Sequence, residues 1–375
     1  MRIGINTRLF VKGRMDGIAW YSYEIIRRLV QHHPDDEFVF FFDRQPDPYF
    51  IFGPNVKPVV VKPQARHPLL WMLFFEIGIK NALKKEKTDV FLSTDGWICL
   101  HTDIKTVNVI HDINFEHFPL MSPPLYRAYY KYFFPKFARK ADILATVSNF
   151  SRQDIICHYN LDNKKVVVAP NAAADDFHEI DLEEKEKVRR QYSGGVPYFI
   201  FVGTANKRKN IVNILLSFER FRKKGFVAKL IFAGMQKYWD KEMNQTLLSM
   251  QYKQDVIFTG YVSTTEMNRL ISSAVALLYP SIFEGFGVPI LEAFACSTPV
   301  ITSNCSAMPE VAGKAAIKVN PLNIKEICIA MEKILQDDAL RQSLIELGKN
   351  RLSTFSWDKS ADIIWNQICK LYNNR

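Results

Sequence analysis

The chain has no pair of cysteines in a Cys-x-x-Cys arrangement. Zinc sites and disulfide frameworks both need cysteines at regular or close spacing. The cysteine pattern therefore argues against both kinds of site and predicts a protein of the reducing cytoplasm. The six cysteines are scattered along the sequence: Cys99, Cys157, Cys296, Cys305, Cys328 and Cys369.

Long apolar runs are also lacking. The longest is Leu69–Phe75, whereas a membrane-spanning helix needs about 20 apolar residues. The first ten residues, MRIGINTRLF, pass directly into a predicted strand, so no secretory signal is visible. We therefore expect neither a membrane span nor a signal peptide.

Three ligand-binding motifs are missing. There is no Asp-x-Asp, so the sequence predicts no metal bridge to a diphosphate. No Gly-x-Gly-x-x-Gly follows the first strand, and Ile290 stands where the loop at Gly285 would need its third glycine. This disfavours a dinucleotide-dependent dehydrogenase, and the absence of a Walker loop disfavours a nucleotide triphosphatase.

The composition is that of a globular protein with a basic surface. The 375 residues are 48% hydrophobic and 13% aromatic, which favours two domains with sizeable cores. The net charge of +10 favours an anionic partner, namely nucleic acid, acidic lipid or a phosphorylated small molecule. Charge alone does not choose among them, but no nucleic-acid-binding module is recognisable and we expect no nucleic-acid partner.

Strand-like apolar runs alternate with amphipathic helical segments along the whole chain. Continuous apolar strands are typical of parallel sheets covered on both faces, so the alternation predicts two doubly wound α/β domains. The predicted strands are 2–7, 37–42, 56–62, 89–93, 105–111, 142–147, 165–170, 198–202, 228–233, 256–259, 275–279, 299–302 and 316–319. The predicted helices start at Asp16-Gly17 and then cover about 69–86, 123–140, 149–159, 182–192, 210–224, 239–251, 264–273, 287–296, 323–335, 337–349 and the C-terminal segment.

The stretch Tyr279–Pro299, YPSIFEGFGVPILEAFACSTP, is the most informative in the sequence. An apolar strand stops at Pro280, and a glycine-containing loop leads into a helix with proline in its first turn. The glycines Gly285 and Gly287 leave backbone N–H groups bare at the positive end of that helix, which is a site for a diphosphate. Glu284 precedes the helix, and a second carboxylate follows eight positions later, so the two could grip different parts of one ligand.

Two further polar clusters lie at the ends of predicted strands, and a third opens a helix. The basic loop Gly203–Asn210 follows a strand and places three cations at a helix N-terminus, where an anion is expected. His111 and Asp112 end the strand at 105–111, and Asp16 and Gly17 open the first helix. A helix-capping role for Asp16 and a contact with a ligand hydroxyl both remain open.

These motifs together resemble retaining glycosyltransferases of family 4. The resemblance rests on Glu, seven residues, Glu around Gly-Phe-Gly-Val-Pro, on Arg-Lys-Asn at 208–210, on Val-Ile-His-Asp at 109–112 and on Gly17-Ile18. It runs from Gly17 to the final helix, and the N-terminal half looks most like mannosyltransferase-type members that build polysaccharide or lipopolysaccharide. Thr204, Asp16 and Ala172 depart from the Arg and the glycines that the family usually carries at those places.

The resemblance implies an α/β fold of the GT-B type, in which two Rossmann-like domains face a central cleft. Residues 1–172, with a crossover helix 357–375, would form the acceptor-side domain. Residues 173–356 would form the nucleotide-sugar-binding domain. The enzyme would transfer a hexosyl group, with mannose favoured, from a GDP- or UDP-sugar to a glycan or lipid-linked glycan. Retention at the anomeric carbon is implied, with no metal and no cofactor beyond the nucleotide-sugar co-substrate.

The resemblance also implies roles for individual residues. Lys209, with Arg208, would neutralise the leaving diphosphate, and His111 would face the donor sugar. Glu284 would hold the donor sugar and Glu292 the ribose. Asp16 and Asp112 are candidate acceptor contacts. The remaining donor-binding candidates are Gly17, Tyr261, Val262, Gly285, Phe286, Gly287 and Val288.

Two basic, aromatic helices, Leu69–Lys87 and Met121–Lys140, allow two interpretations. They are core-facing helices with solvated basic faces, or they dock on the anionic inner face of the plasma membrane, where a lipid-linked acceptor would lie. Two other functions also remain open, a GT-B epimerase or phosphorylase and, remotely, a basic nucleic-acid-binding protein.

Overall fold

The computed structural model describes residues 1–121 and 123–374. Ser122 and Arg375, the last position of the predicted crossover helix, lie outside the described residues. Contacts divide the chain into two units, one of Met1–Asn171 with the segment that starts at Ser356, and one of Ala172–Phe355. No described helix combines the length and the apolar character needed to cross a membrane.

The first unit is built on a seven-stranded parallel sheet in the order β3-β2-β1-β4-β5-β6-β7. Its strands are β1 (Arg2–Asn6), β2 (Glu37–Phe42), β3 (Val56–Val60), β4 (Val90–Ser93), β5 (Lys105–Val109), β6 (Ile143–Thr146) and β7 (Val166–Val168). Its helices are α1 (Gly17–His32), α2 (Pro68–Leu73), α3 (Lys80–Lys85), α4 (Asn114–His117), α5 (Pro124–Lys140), α6 (Asn149–Tyr159) and the C-terminal α15 (Trp357–Asn373). Short 3₁₀ turns lie at Pro48–Phe50, Pro119–Met121 and Asn163–Lys165.

The second unit contains a six-stranded parallel sheet in the order β10-β9-β8-β11-β12-β13. Its strands are β8 (Tyr198–Val202), β9 (Lys229–Ala233), β10 (Val256–Gly260), β11 (Ala276–Tyr279), β12 (Val300–Ser303) and β13 (Ala316–Val319). Its helices are α7 (Leu182–Ser193), α8 (Ile211–Lys223), α9 (Lys241–Ser249), α10 (Thr264–Ser273), α11 (Val288–Ala295), α12 (Met308–Ala312), α13 (Ile324–Gln336) and α14 (Asp338–Leu352). The 3₁₀ turns are Lys207–Lys209 and Lys253–Asp255.

Both sheets reverse their strand order at one point. In the first unit this switch point lies between β1 and β4, and in the second it lies between β8 and β11. Open α/β sheets bind their ligands in the crevice outside the carboxyl ends of the strands at such a point. The prediction of two doubly wound parallel-sheet domains is therefore confirmed. In each unit, the topology marks the carboxyl edge of the sheet at the switch point as the expected ligand site.

The predicted helix at 69–86 is not a regular α-helix. A π-helical segment, Phe74–Ile79, separates α2 from α3. A β-carbon at Gly78 would lie 2.5 Å from the backbone oxygen of Lys62, in the segment that follows β3. Only glycine therefore lets the helix pack this close to that segment. The local wide turn keeps Phe74, Phe75 and Ile79 buried in the core through this close approach.

The C-terminal helix α15 packs on α1 within the first unit. Trp357 meets Tyr21 edge to face with ring centroids 5.8 Å apart. The hydroxyl of Ser360 donates to the carbonyl of Pro170 at 2.7 Å. Asp358 accepts from the Arg28 guanidinium at 2.8 Å. The end of the chain therefore supports the helix that begins at Gly17.

Candidate active site

The basic loop after β8 is anchored to the chain that leaves β11. Asn206 caps the turn by accepting from the Lys209 amide at 3.2 Å. Asn210 is buried in a left-handed conformation, and its side-chain amide donates to the carbonyl of Pro280 at 2.9 Å. The Ile282 amide donates to the Arg208 carbonyl at 2.8 Å. These bonds hold the basic loop against the start of the Gly285 loop, across the switch point of the sheet.

Arg208, Lys209 and Glu284 form one ion-paired group at this switch point. Glu284 Oε2 lies 2.5 Å from Arg208 Nη1, and Glu284 Oε1 lies 2.7 Å from Lys209 Nζ. Lys209 Nζ also donates to the hydroxyl of Tyr279, the last residue of β11, and lies 4.5 Å from that ring's centroid. Arg208 Nη1 donates to the Phe283 carbonyl at 2.7 Å. The structure thus joins three residues that the sequence placed in the loops after two different strands.

The Glu284 carboxylate is ionised although it is only 7% exposed. Burial by itself would raise its pKa, but the Lys209 and Arg208 cations outweigh that effect and hold the pKa of Glu284 at about 2. Glu284 therefore provides a negative charge beside the cations of the basic loop. The third cation, Lys207, lies apart and faces Asp240 and Glu242 at 3.4 and 3.7 Å.

The glycine loop presents open amides at the start of α11. Gly287 has φ of 101°, a conformation that side chains rarely adopt, and a β-carbon there would lie 3.2 Å from Ile290. The buried ring of Phe286 meets Phe355 edge to face at 5.5 Å. Among the described residues, none accepts a hydrogen bond from the amides of Phe286, Gly287 or Val288. These donors lie at the positive end of α11 and suit an anionic oxygen.

Glu292 lies one turn further along α11 and differs from Glu284 in its electrostatics. Its partly buried carboxylate makes no hydrogen bond or ion pair with any residue in the described part of the chain. Burial raises the pKa of Glu292 to about 7, although the positive charge of Lys209 opposes the shift. This carboxylate is therefore an acceptor without a donor among the residues that the structure describes.

Tyr261 and Val262 directly follow β10, at the edge of the same sheet. The Tyr261 side chain is 79% exposed, and Val262 is partly buried. Their suggested contact with a nucleobase stays a prediction, since both lie two strands away from β8.

In the first unit, His111 follows β5 and is held by its own surroundings. Its Nε2 lies 3.0 Å from the Thr94 carbonyl, which can only accept, so Nε2 carries the proton. The Tyr21 ring meets the imidazole edge to face at 4.7 Å. Burial lowers the pKa of His111, although the Thr94 carbonyl and the carboxylates of Asp112, Asp16 and Asp95 oppose the shift. His111 is therefore neutral near pH 7.

The two candidate acceptor carboxylates have local structural bonds. Asp16 accepts from the Ala19 amide at 3.0 Å and caps α1, as one of the two open interpretations expected. Asp112 accepts from the Asn114 amide at 3.0 Å and shapes the turn into α4. Gly17 is exposed, and a β-carbon there would meet nothing within 4 Å. Its contribution is open space at the start of α1 rather than an unusual backbone conformation.

Within residues 1–121 and 123–374, no three His, Cys, Asp or Glu side chains are grouped so that they could hold a metal ion. All six cysteines are free thiols.

Comparison with known proteins identifies both halves of the chain. A family model described as Glycosyltransferase Family 4 matches residues 15–177, and one described as Glycosyl transferases group 1 matches residues 182–351. The chain is 28% identical over 366 residues to O-antigen chain mannosyltransferase B of Escherichia coli, covering 93% of this chain and 94% of that protein. It is 27% identical over 320 residues to the O-antigen chain mannosyltransferase RfbU of Salmonella typhimurium, covering 84% of each.

The fold has close structural counterparts. Sucrose-phosphate synthase from Thermosynechococcus elongatus superposes with a TM-score of 0.79 at 16% identity, and the match covers all of both chains. With both halves matched by glycosyltransferase family models, the fold and motifs define a glycosyltransferase of the GT-B class. More particularly, the chain belongs to glycosyltransferase family 4 and is similar to mannosyltransferases of O-antigen biosynthesis. The resemblance stated from the sequence is confirmed.

Proposed function

We propose that this enzyme transfers mannose from a nucleotide-sugar to a glycan or lipid-linked glycan, with retention of configuration and without a metal ion. The observation that carries the proposal is the group formed by Lys209, Arg208 and Glu284 beside the open amides of α11. Support for mannose comes from the names of the relatives, because the proteins from Escherichia coli and Salmonella typhimurium are described as O-antigen chain mannosyltransferases.

The residues of the second unit can perform the donor half of this reaction. Lys209 and Arg208 offer positive charge, and the amides of Phe286 to Val288 offer donors, to the diphosphate that leaves. This is the main electrostatic demand of an oxocarbenium-like step. Glu284, fixed by both cations, accepts from hydroxyls of the donor sugar. Glu292 accepts from the ribose hydroxyls, and no protein base is assigned because the donor's own phosphate takes the acceptor proton.

A transfer assay with a mannose-terminated synthetic glycan tests this proposal. GDP-mannose is expected to give an α-linked product, the configuration of the donor, in the proton NMR spectrum of the glycan. UDP-glucose serves as the comparison donor. Excess EDTA is expected to leave the rate unchanged within about twofold, because two cations and a helix N-terminus already face the diphosphate. A β-linked product would contradict retention, and strict dependence on added Mg²⁺ would contradict the metal-free reaction.

We also propose that the enzyme acts in the cytoplasm, at the inner face of the plasma membrane. Exposed apolar side chains and cations share the surface of α2, the π-helical segment and α5, which pack together through Trp71 and Tyr126, whose ring centroids lie 5.5 Å apart. The large exposed apolar residues of these elements and of the turn Pro119–Met121 are Leu69, Met72, Leu73, Ile77, Leu120, Met121, Leu125 and Tyr132. Helix α5 carries five cations and no acid, which suits an anionic lipid surface.

The membrane contact predicts a specific loss on substitution. The double variant Leu69→Asp with Leu125→Asp is expected to lower partitioning onto vesicles of anionic phosphatidylglycerol at least tenfold, because two apolar contacts become charges that the lipid repels. Leu182→Asp is the control, since Leu182 is even more exposed than Leu69 and Leu125 but lies in the second unit. Co-sedimentation measures both. Equal partitioning of the double variant and the parent would contradict the contact.

A further inference from the structure

The switch point of the first sheet carries its own charged pair. Arg8 follows β1 and Asp95 follows β4, the two strands between which the strand order reverses. Arg8 Nε donates to Asp95 Oδ2 at 2.7 Å, and both side chains are more than nine-tenths buried. In the second unit, Arg208 and Lys209 pair with Glu284 across the equivalent position. Each unit therefore has a cation and a carboxylate at the place where open α/β sheets bind ligands.

Asp95 is fully engaged by the protein. Besides Arg8, it accepts from the side chain of Asn6 at 2.9 Å, from the hydroxyl of Ser93 at 3.1 Å and from the Trp97 amide at 3.2 Å. Both of its oxygens therefore have donors, which fixes the carboxylate and, through it, the orientation of the Arg8 guanidinium.

The Arg8 guanidinium is enclosed but not satisfied. Nε is its one nitrogen with a hydrogen-bond acceptor among the described residues, and the side chain as a whole is 7% exposed. Its Nη1 and Nη2 are not among the fully buried nitrogens and oxygens that lack a partner. These two nitrogens therefore reach solvent. A guanidinium offers its N–H groups in a rigid fork. A buried fork whose outer N–H groups have no acceptor in the described part of the chain is well placed to bind a ligand.

Aromatic rings surround this fork. The Arg8 guanidinium carbon lies 4.4 Å from the centroid of the Trp97 ring and 5.7 Å from those of Trp71 and Phe75. Trp97 also meets Tyr130 edge to face at 6.0 Å, and Trp71 meets Tyr129 at 5.4 Å. Ring faces stacked on the guanidinium leave its N–H edge free to point outward. The same rings provide apolar walls beside the open donors.

The charge around the fork favours a neutral ligand over an anion. Arg8 is neutralised by Asp95, and the nearby His111 is uncharged and senses Asp16 and Asp112 as well as Asp95. The Arg8 charge is therefore already balanced by Asp95, so a phosphate would gain little net attraction there. A neutral polyol meets open N–H donors for its hydroxyls and aromatic faces for its C–H groups, and sites of this kind hold their ligand with a few polar groups among aromatic walls.

We propose that Arg8, with the Trp97 and Trp71 rings, is a subsite for a neutral sugar residue of the acceptor glycan. The fork donates to two neighbouring hydroxyls of the pyranose ring, and the aromatic side chains around it form the apolar wall of the subsite. Asp95 positions the fork and does not itself touch the sugar. The proposal rests on the proposed function only in taking the acceptor to be a glycan.

The Arg8→Lys variant tests the subsite in the full-length protein. Lysine keeps the positive charge beside the buried Asp95 but removes the fork. The acceptor KM is expected to rise at least tenfold, while the KM for GDP-mannose and the rise in melting temperature that GDP-mannose causes stay as in the parent. Arg14→Lys, at an exposed arginine of the same loop, is the matched control. An acceptor KM within twofold of the parent value in a folded Arg8→Lys variant would overturn the subsite.

A second measurement does not depend on turnover. Saturation-transfer NMR with methyl α-mannopyranoside is expected to show saturation of the pyranoside C–H protons in the parent, and at least a fivefold loss in Arg8→Lys. Trp97→Phe is expected to lose signal while keeping the melting temperature. Unchanged signal in both variants would refute the subsite. Stronger binding of inorganic pyrophosphate, lost in Arg8→Lys, would overturn the sugar in favour of an anion.

The two proposals fail in different ways. If no mannose nucleotide binds or is transferred by the parent protein, the proposed function fails whatever Arg8 does. If GDP-mannose is bound and transferred while Arg8→Lys leaves every acceptor readout unchanged, only the subsite fails.

Discussion

Replacing Lys209 by alanine is expected to lower kcat about 10²- to 10³-fold, the size typical of losing one electrostatic contact to a developing negative charge. Lys209 Nζ is held by Glu284 and by the Tyr279 hydroxyl, so it is oriented before any substrate arrives. Because the diphosphate gains charge as it leaves, kcat is expected to fall more than the donor KM rises. Steady-state kinetics with varied GDP-mannose separates the two effects.

The control for this experiment lies two residues away. Lys207→Ala removes a cation from the same loop, but Lys207 faces Asp240 and Glu242 rather than Glu284. Its kcat is expected to stay within about twofold of the parent value, in keeping with the small effect of an exposed ion pair. A melting curve for each variant shows whether the fold persists, since Lys209→Ala leaves the buried Glu284 with one cation fewer. Near-normal turnover in a folded Lys209→Ala protein would refute the role of Lys209 in neutralising the leaving diphosphate.

Replacing Glu292 by glutamine is expected to weaken binding of GDP-mannose about 10- to 100-fold. Hydrogen bonds to a charged group contribute about 1.5–3 kcal/mol, and glutamine keeps the shape but not the charge. Isothermal titration calorimetry measures the loss directly. If the affinity of the Glu292→Gln variant equals that of the parent, the assignment of the ribose to Glu292 is wrong.

The same residue predicts how affinity depends on pH. The pKa of Glu292 is raised to about 7, and only the ionised form can accept from two ribose hydroxyls. The contribution of Glu292 to GDP-mannose affinity is therefore present above pH 7 and is lost as the pH falls through 7. With a bound-state pKa well below 6, the dissociation constant is expected to rise about tenfold between pH 8 and pH 6. The diphosphate of a nucleotide-sugar does not titrate in this range, and the Glu292→Gln variant is expected to show a flat profile.

The alternation of strands and helices was predictable because parallel strands covered on both faces are apolar along their whole length. The π-helical segment was not, since it depends on the approach of Gly78 to the Lys62 backbone, a tertiary contact that local pattern does not record. The crowding is visible only once β3 and the following helix are packed together.

The candidate site likewise combines features that the sequence predicts with features that depend on tertiary contacts. The sequence placed Lys209 and Glu284 at the carboxyl edge of one sheet, because both follow strands. It did not anticipate that they pair directly, that Tyr279 shares the lysine, or that the two glutamates of one motif have pKa values near 2 and near 7. Those properties come from burial and distance. Arg8 and Asp95 were overlooked although the same rule, a charged residue just past a strand, would have found them.

Hydrogen–deuterium exchange with and without GDP-mannose tests most directly whether the second unit holds the donor at its switch point. The amides of Phe286, Gly287 and Val288 have no acceptor among the described residues, so they are expected to exchange fast in the free protein. Bound diphosphate is expected to slow them, together with the amides of Lys207–Asn210. Protection confined to the first unit, or no protection at a concentration where calorimetry shows saturation, would contradict donor binding at the switch point of the second unit.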